Sequence, residues 1–405
     1  MARPRLLLAL IAGVTAGLLA WWFGPWRTPP NEAAPIARAP ASRVAAPQPE
    51  PEPRGAAPSP TPPAAVVRAG LKRHFAGLAV PRELIGLLAA GDVAAAARQL
   101  EAMPARSGAA LLWDLGTLCH DARGQASAAD PRALDARAAL DAASLDAAVR
   151  PVLEGMVAAR RAWLARFEPG CAAAHLDPGA LQRQLFDSAA AGDAASLERL
   201  ATIDAAPFAR LTSAALLGAP RAQLRLALGL LEEGPAQSRT SEQRQAGLSW
   251  LQAAAKGDAD AEAYYATCLL NGCYGAADPV AARSALEHAA EHGSSAALGL
   301  LAAASSSDAA GRWSPLDAPL AAVPARDTSA LALSETDRYA WAAFAERLAR
   351  AGCFGFDFAI AGEALGSRAR FERTLRPSQL TEAAAAADRL WSEAGEAART
   401  ARGCD

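Results

Sequence analysis

Ala253-Ala254-Ala255-Lys256-Gly257-Asp258-Ala259-Asp260-Ala261 is the stretch whose reading decides the fold. It shows two small residues, a two-residue gap, a glycine, and an alanine four positions later. The same spacing stands at Ala214-Ala215-Leu216-Leu217-Gly218 with Ala222, and at Ala289-Ala290-Glu291-His292-Gly293 with Ala297. Gly218, Gly257 and Gly293 are 39 and 36 positions apart. A period in the thirties marks a helical solenoid, in which each helix pair buries its apolar face only by stacking on the next pair. In the best-formed unit, Ala261 to Gly272 reads as a first helix. Its companion starts after Asp278-Pro279 and carries Ala282, Leu286, Ala289 and Ala290. One unit earlier, Glu242, Ala246, Trp250, Ala253 and Ala254 take the same places. The alanine pairs let helices approach closely, and the glycine after them is expected to end the second helix of each pair. Trp250, Tyr265, Leu269 and Leu286 are expected to fill the larger volumes between layers. The expected fold is all-α, a helix-pair solenoid with irregular helical N- and C-terminal caps.

These units resemble the Sel-one-like repeats, relatives of the tetratricopeptide repeats. Asp278, Ala282, Leu286, Ala289, Ala290, Gly293 and Ala297 match that family's pattern, as do Ala222 and Gln223. Ala266 stands where the family has a first-helix glycine, and the unit starting at Arg221 carries an insertion around Gly234-Pro235. The resemblance covers about 90 residues. It implies a curved stack of antiparallel helix pairs that binds other proteins, with disulfides in some exported members.

Working outward, residues 177–304 form the repeat region, opened by an irregular unit around the turn Ala190-Ala191-Gly192-Asp193. Residues 66–176 read as a helical subdomain without a clear period. There Ala89-Ala90-Gly91-Asp92 turns one helix into the next within Arg82 to Met103, and a helix over about Ser107 to Cys119 carries Trp113. A long helix is expected from about Pro131 to Phe167, with Glu168-Pro169-Gly170-Cys171 closing the block. Residues 305–333 read as a loop, from the serine run 305–307 and prolines 315, 319 and 324. Residues 334–405 read as a helical cap. Ser334 caps a helix to Arg350, Phe354, Phe356 and Phe358 are expected to pack under the loop, and Pro377-Ser378 opens the last helix.

The first 27 residues carry the compartment signal. Arg3 and Arg5 precede an apolar run from Leu6 to Trp26, long enough to cross a bilayer core of roughly 30 Å. Trp21, Trp22 and Trp26 stand at its far end, where an aromatic belt meets headgroups. The expectation is an uncleaved signal anchor (residues 6–26 spanning an inner membrane) in a bacterium of Gram-negative type, with the bulk of the chain periplasmic. A cleaved signal with Val14-Thr15-Ala16 at the peptidase site is the alternative. Residues 28–65, broken by frequent prolines, read as a disordered spacer reaching up to roughly 110 Å if extended.

All six cysteines lie beyond the spacer, and an even number in an exported chain reads as disulfides. If Gly272 is the left-handed residue just past its helix, Schellman closure brings Cys268 and Cys273 together. Cys119 with Cys171, each at a predicted helix end, and Cys353 with Cys404, tying down the tail, follow as the remaining pairs.

Signals for chemistry are few. The 40 basic and 42 acidic residues nearly cancel and form no basic stripe, so no nucleic-acid partner is expected. Lys72 and Lys256, the only lysines, have alanines three positions before them, which excludes a Ser-x-x-Lys hydrolase. Glu-Ser, usual in lytic transglycosylases, is absent. His288 and His292 are spaced to share one helix face, yet no third metal ligand accompanies them. No cofactor or metal is expected, and the chain is read as a non-enzyme. The expected binding surface is the first-helix face bearing Tyr264, Thr267 and Asn271, with Arg225 and Glu232 one unit earlier; Ala261, Tyr265 and Leu269 form the packed face. The expected function is a membrane-anchored periplasmic scaffold for an unknown protein partner of the cell envelope. The alternatives are an envelope enzyme with an unrecognised site, and a soluble periplasmic binding protein released by signal cleavage.

Overall fold

Glycine and aspartate punctuation cuts the chain into short helices. The structure, a computed structural model, describes residues 63–125, 149–203, 207–231, 240–303 and 328–405. Among these residues are sixteen α-helices, one 3-10 turn (Thr328–Leu331) and no strand. Residues 1–62, and with them the expected membrane anchor and nearly all of the spacer, lie outside the described residues. Among the described residues no helix is long and apolar enough to cross a membrane.

The first block holds α1 (Pro63–His74), α2 (Arg82–Ala90), α3 (Val93–Glu101), α4 (Ala105–Gln125) and α5 (Arg150–Ala174). It begins inside the predicted spacer, since Pro63 starts α1 and Ala65 is buried. Gly91 is left-handed at φ 88° and Asp92 accepts a hydrogen bond from the Ala95 amide at 3.0 Å, as the turn chemistry requires. Two expectations fail here. Helix α5 does not stop at Phe167 but runs through Pro169 to Ala174, and Cys119 and Cys171 both lie within helices rather than at their ends. A mid-helix proline costs about 3 kcal/mol. Phe167 against Trp163 on one side of it and the Cys119–Cys171 bridge on the other hold the helical course and offset that cost. The part of the predicted helix from Pro131 to residue 148 lies outside the described residues.

The repeat stack follows: α6 (Pro178–Ala190), α7 (Ala194–Leu200), α8 (Pro207–Leu216), α9 (Pro220–Leu231), α10 (Ser241–Ala254), α11 (Ala259–Asn271), α12 (Pro279–Glu291) and α13 (Ser295–Ala302). Each quoted glycine separates a second helix from the first helix of the next unit. Ala222, Ala261 and Ala297, four positions past the glycines, are fully buried, which is why only a methyl group fits there. Gly218 and Gly293 are left-handed, but Gly257 is not. A Cβ on Gly257 would stand 2.8 Å from Pro220 Cγ, so close approach of the neighbouring unit, not backbone conformation, calls for glycine there. Asp193, Asp258, Asp278 and Ser294 cap the following helices by accepting from the amides of Ser196, Ala261, Ala281 and Ala297. Gln223, half of the family's Ala-Gln pair, is buried and donates to the Ala215 carbonyl across the turn at 3.0 Å.

The last block holds α14 (Glu335–Arg350), α15 (Phe358–Glu372) and α16 (Pro377–Arg402). Ser334 and Asp337 form a full capping box at the start of α14. The 3-10 turn and the caps confine the expected loop, most of which (residues 304–327) lies outside the described residues.

The three disulfides pair as expected: Cys119–Cys171, Cys268–Cys273 and Cys353–Cys404, with Cα atoms 5.5, 5.0 and 5.0 Å apart. At Gly272 (φ 74°) the Cys273 amide donates to the Cys268 carbonyl at 2.9 Å, the closure that places the two side chains together. Cys353 and Cys404 likewise each follow a left-handed glycine, Gly352 and Gly403, and so join the C-terminal ends of α14 and α16.

The first and last blocks meet, which the repeat pattern did not announce. Phe354, Phe356 and Phe358 share an apolar core with Leu331 and Leu333, the described end of the expected loop, and also reach the first block. Phe356 stacks on Trp163 of α5 at 5.1 Å and lies under the guanidinium of Arg160. Where α1 crosses the turn after α14, a Cβ on Gly70 would stand 2.5 Å from the Phe356 ring, and one on Gly355 would stand 2.4 Å from the Gly70 nitrogen. Arg73 pairs with Asp357 at 3.2 Å, and Lys72 and Arg68 donate to the carbonyls of Thr400 and Asp405. Residues of α1, α5, α14, α15 and α16 therefore share one apolar core.

Candidate interaction surface

Helix α11 packs against α9, α10, α12 and α13, so it buries more than one stripe. Tyr264 and Thr267, expected at the surface, are each 1% exposed. Tyr264 sits with Leu224, Leu251 and Cys268, and Thr267 donates to the Ala263 carbonyl at 2.9 Å. Tyr265 and Leu269, expected to pack, are only half-buried. The predicted phase of this helix is thus corrected: Tyr264→Ala would empty core volume rather than alter a surface. Arg225 on α9 and Asn271 on α11 are exposed, while Glu232 and the insertion at Gly234-Pro235 lie outside the described residues. The five residues do not form one described surface. Trp250, expected to fill volume between layers, is half-buried and packs against two apolar clusters.

A buried charge network ties the first block to the repeats. Arg199 of α7 donates to both carboxylate oxygens of Asp114 from Nε, and from Nη2 to Asp114 Oδ2 at 2.8 Å. Arg199 Nη2 and Arg221 Nη1 also donate to the Ala76 carbonyl at 3.2 and 3.0 Å. Arg221 continues to Asp258, the cap of α11, at 3.7 Å. Glu198 lies 3.3 Å from Arg199. Burial pushes the Glu198 carboxyl above the ordinary carboxylate range, and Arg199, Arg221 and Arg225 only partly offset this. Because the folded chain then holds that proton to higher pH than the unfolded chain, stability falls as pH rises from the ordinary value through the raised one. Glu198→Gln is expected to flatten this fall and raise the neutral-pH melting temperature. Thermal melts across the acid-to-neutral range check it, and an unchanged slope would exclude Glu198 as its source.

The outer helices of the stack differ from one another. On α10 the exposed positions are Ser241, Glu242, Gln243, Arg244, Gln245, Ala246, Ser249 and Gln252, almost all polar; on α12, beyond Val280 at its start, they are Ser284 and His288. On α8 they are Pro207, Phe208, Ala209, Ser213 and Leu216, followed directly by Leu217. Phe208 is 56% exposed, Leu216 71% and Leu217 55%; Phe186 of α6, under the guanidinium of Arg210, and Ile203 are also open to solvent. Leu211, Ala214 and Ala215 meanwhile point into the core. Helix α8 thus carries large apolar side chains on its solvent-facing side as well as on its core side, with Arg210, Thr212 and Ser213 as its polar residues. Thr212 and Ser213 spend their hydroxyls on the carbonyls of Phe208 and Ala209, at 2.8 and 3.1 Å. Sequence reading missed this face, although Phe208, Thr212 and Leu216 at four-residue spacing form a second stripe beside the buried one.

His288 and His292 stack at 4.0 Å. Nδ1 of His288 lies 2.7 Å from Glu262 Oε2, and Nδ1 of His292 lies 2.8 Å from the His288 carbonyl. Among the described residues no group of three or more His, Cys, Asp or Glu side chains is arranged to hold a metal.

No family model matches the chain, and no curated protein matches it. Among solved structures, it is similar to the crystal structure of c5321, "a protective antigen present in uropathogenic Escherichia coli strains displaying an SLR fold", with a TM-score of 0.40 and 18% sequence identity. The match covers 82% of this chain and 62% of that one, so the chain corresponds to less than two thirds of that protein's length.

Proposed function

We propose that this chain is a helical-repeat scaffold that binds protein through the outer face of α8, anchored by residues 6–26 with its repeats in the periplasm. The observation that carries the binding reading is the solvent-facing apolar side of α8 in a row of helices whose other members, Val280 and Ala246 apart, present polar sides. A contiguous apolar patch of this kind on a folded surface marks an interaction site. Closure of all six cysteines into three bridges supports an oxidising compartment, and the apolar run preceded by Arg3 and Arg5 supports export with the N-terminus inside.

Phe208→Glu with Leu216→Glu, placed in the full chain, is expected to remove its protein contacts in cells treated with a general crosslinker while leaving the melting temperature nearly unchanged. An unaltered set of crosslinked proteins would overturn the role of α8. A periplasm-dependent reporter fused after Asp405 is expected to be active; activity of a cytoplasmic reporter in its place would overturn export.

A further inference from the structure

We infer that the protein bound by the outer face of α8 is a second copy of this chain, an inference that rests on reading α8 as an interaction surface. The face has the properties that a two-fold contact demands. Two-fold symmetry sets a surface against itself, so any net charge on it would meet its own sign. The exposed positions of α8 carry no acidic residue and no lysine, and the half-buried Arg210 lies over the Phe186 ring at 5.5 Å.

The stripe is complementary to itself when reversed. Phe208 and Leu216 are separated by about 12 Å along the helix axis, with Thr212 midway. Antiparallel packing about an axis at Thr212 sets Phe208 against the partner's Leu216, and Leu216 against the partner's Phe208. The centre is made of Ala209, Thr212 and Ser213, small enough for the two helices to approach closely. The hydroxyls of Thr212 and Ser213 are already bonded to backbone carbonyls, so removing water from them leaves no donor unsatisfied. Phe208, Leu216, Leu217, Phe186 and Ile203 together expose about 450 Å² of apolar surface. That is over half of the roughly 800 Å² that each partner contributes to a stable interface. Arg183 and Asp187, exposed on either side of Phe186, supply the polar rim.

The full chain carrying a photo-crosslinking side chain at Thr212, irradiated in intact cells, tests this. The expected product has twice the chain's mass, and mass spectrometry joins α8 to α8. The same probe at Ser249 on α10 is expected to give no such product. Purified full-length protein should have the mass of two chains by light scattering, and Phe208→Glu with Leu216→Glu should weaken that association by roughly 100-fold or more. Adducts from Thr212 to a different protein alone would overturn the second copy as partner while leaving α8 an interaction surface. No adduct to any protein would overturn both. Because the probe sits in an otherwise native chain, the outcome stands even if the glutamate variants fail to fold.

Discussion

Trp163→Ala is expected to destabilise the whole described fold by about 3–5 kcal/mol, and to loosen a segment nearly two hundred residues away. Trp163 is fully buried, donates from Nε1 to the Leu88 carbonyl at 2.9 Å, and lies between Phe167 at 4.5 Å and Phe356 at 5.1 Å. Truncation removes both ring contacts and the hydrogen bond, and the surrounding helices cannot collapse into the space because the Cys119–Cys171 bridge holds α4 to α5. Since Phe356 belongs to the last block, hydrogen exchange should rise at Phe354 to Phe358 as well as in α2 and α5, within one cooperative thermal transition. Two transitions, with the last block melting as in the native protein, would show that the two ends do not share a core.

Removing the Cys353–Cys404 bridge by alanine substitution at both positions is expected to cost about 4 kcal/mol, against about 2 kcal/mol for Cys268–Cys273. The difference comes from the unfolded chain, where the two bridges close loops with sequence separations of 51 and 5. The longer bridge also fixes the end of α16 and the residues just after it, where Thr400 and Asp405 accept hydrogen bonds from Lys72 and Arg68 of α1. Its loss should therefore raise exchange in α1, whereas loss of the Cys268–Cys273 bridge should act only around the end of α11. Denaturant titrations of the two double variants check the ranking. Equal midpoints for both would show that native contacts, not loop closure, set the contribution of the bridges.

What can be read from the sequence alone here is what neighbours along the chain decide among themselves. Gly91, Gly218 and Gly293 end helices, Asp278 and Ser334 start them, and the Cys268–Cys273 bridge follows from a single helix end, because each of these depends on a few consecutive residues. The helix-pair order of the repeats comes from the same source. Burial is different, since it depends on how many helices surround a residue. In an alanine-rich helix such as α11, several faces are equally ready to pack; four neighbours, not its periodicity, put Tyr264 and Thr267 inside and left Tyr265 half out. The opposite case is α8, which bears large apolar side chains on both faces yet is covered on only one among the described residues. The meeting of the ends was also beyond local pattern. Gly70 and Gly355 look like ordinary helix and turn glycines, and only the crossing of α1 over the α14–α15 turn explains why neither has room for a side chain. Tertiary structure decided these points because each joins surfaces far apart in the chain, where complementary shape rather than residue spacing selects the contact.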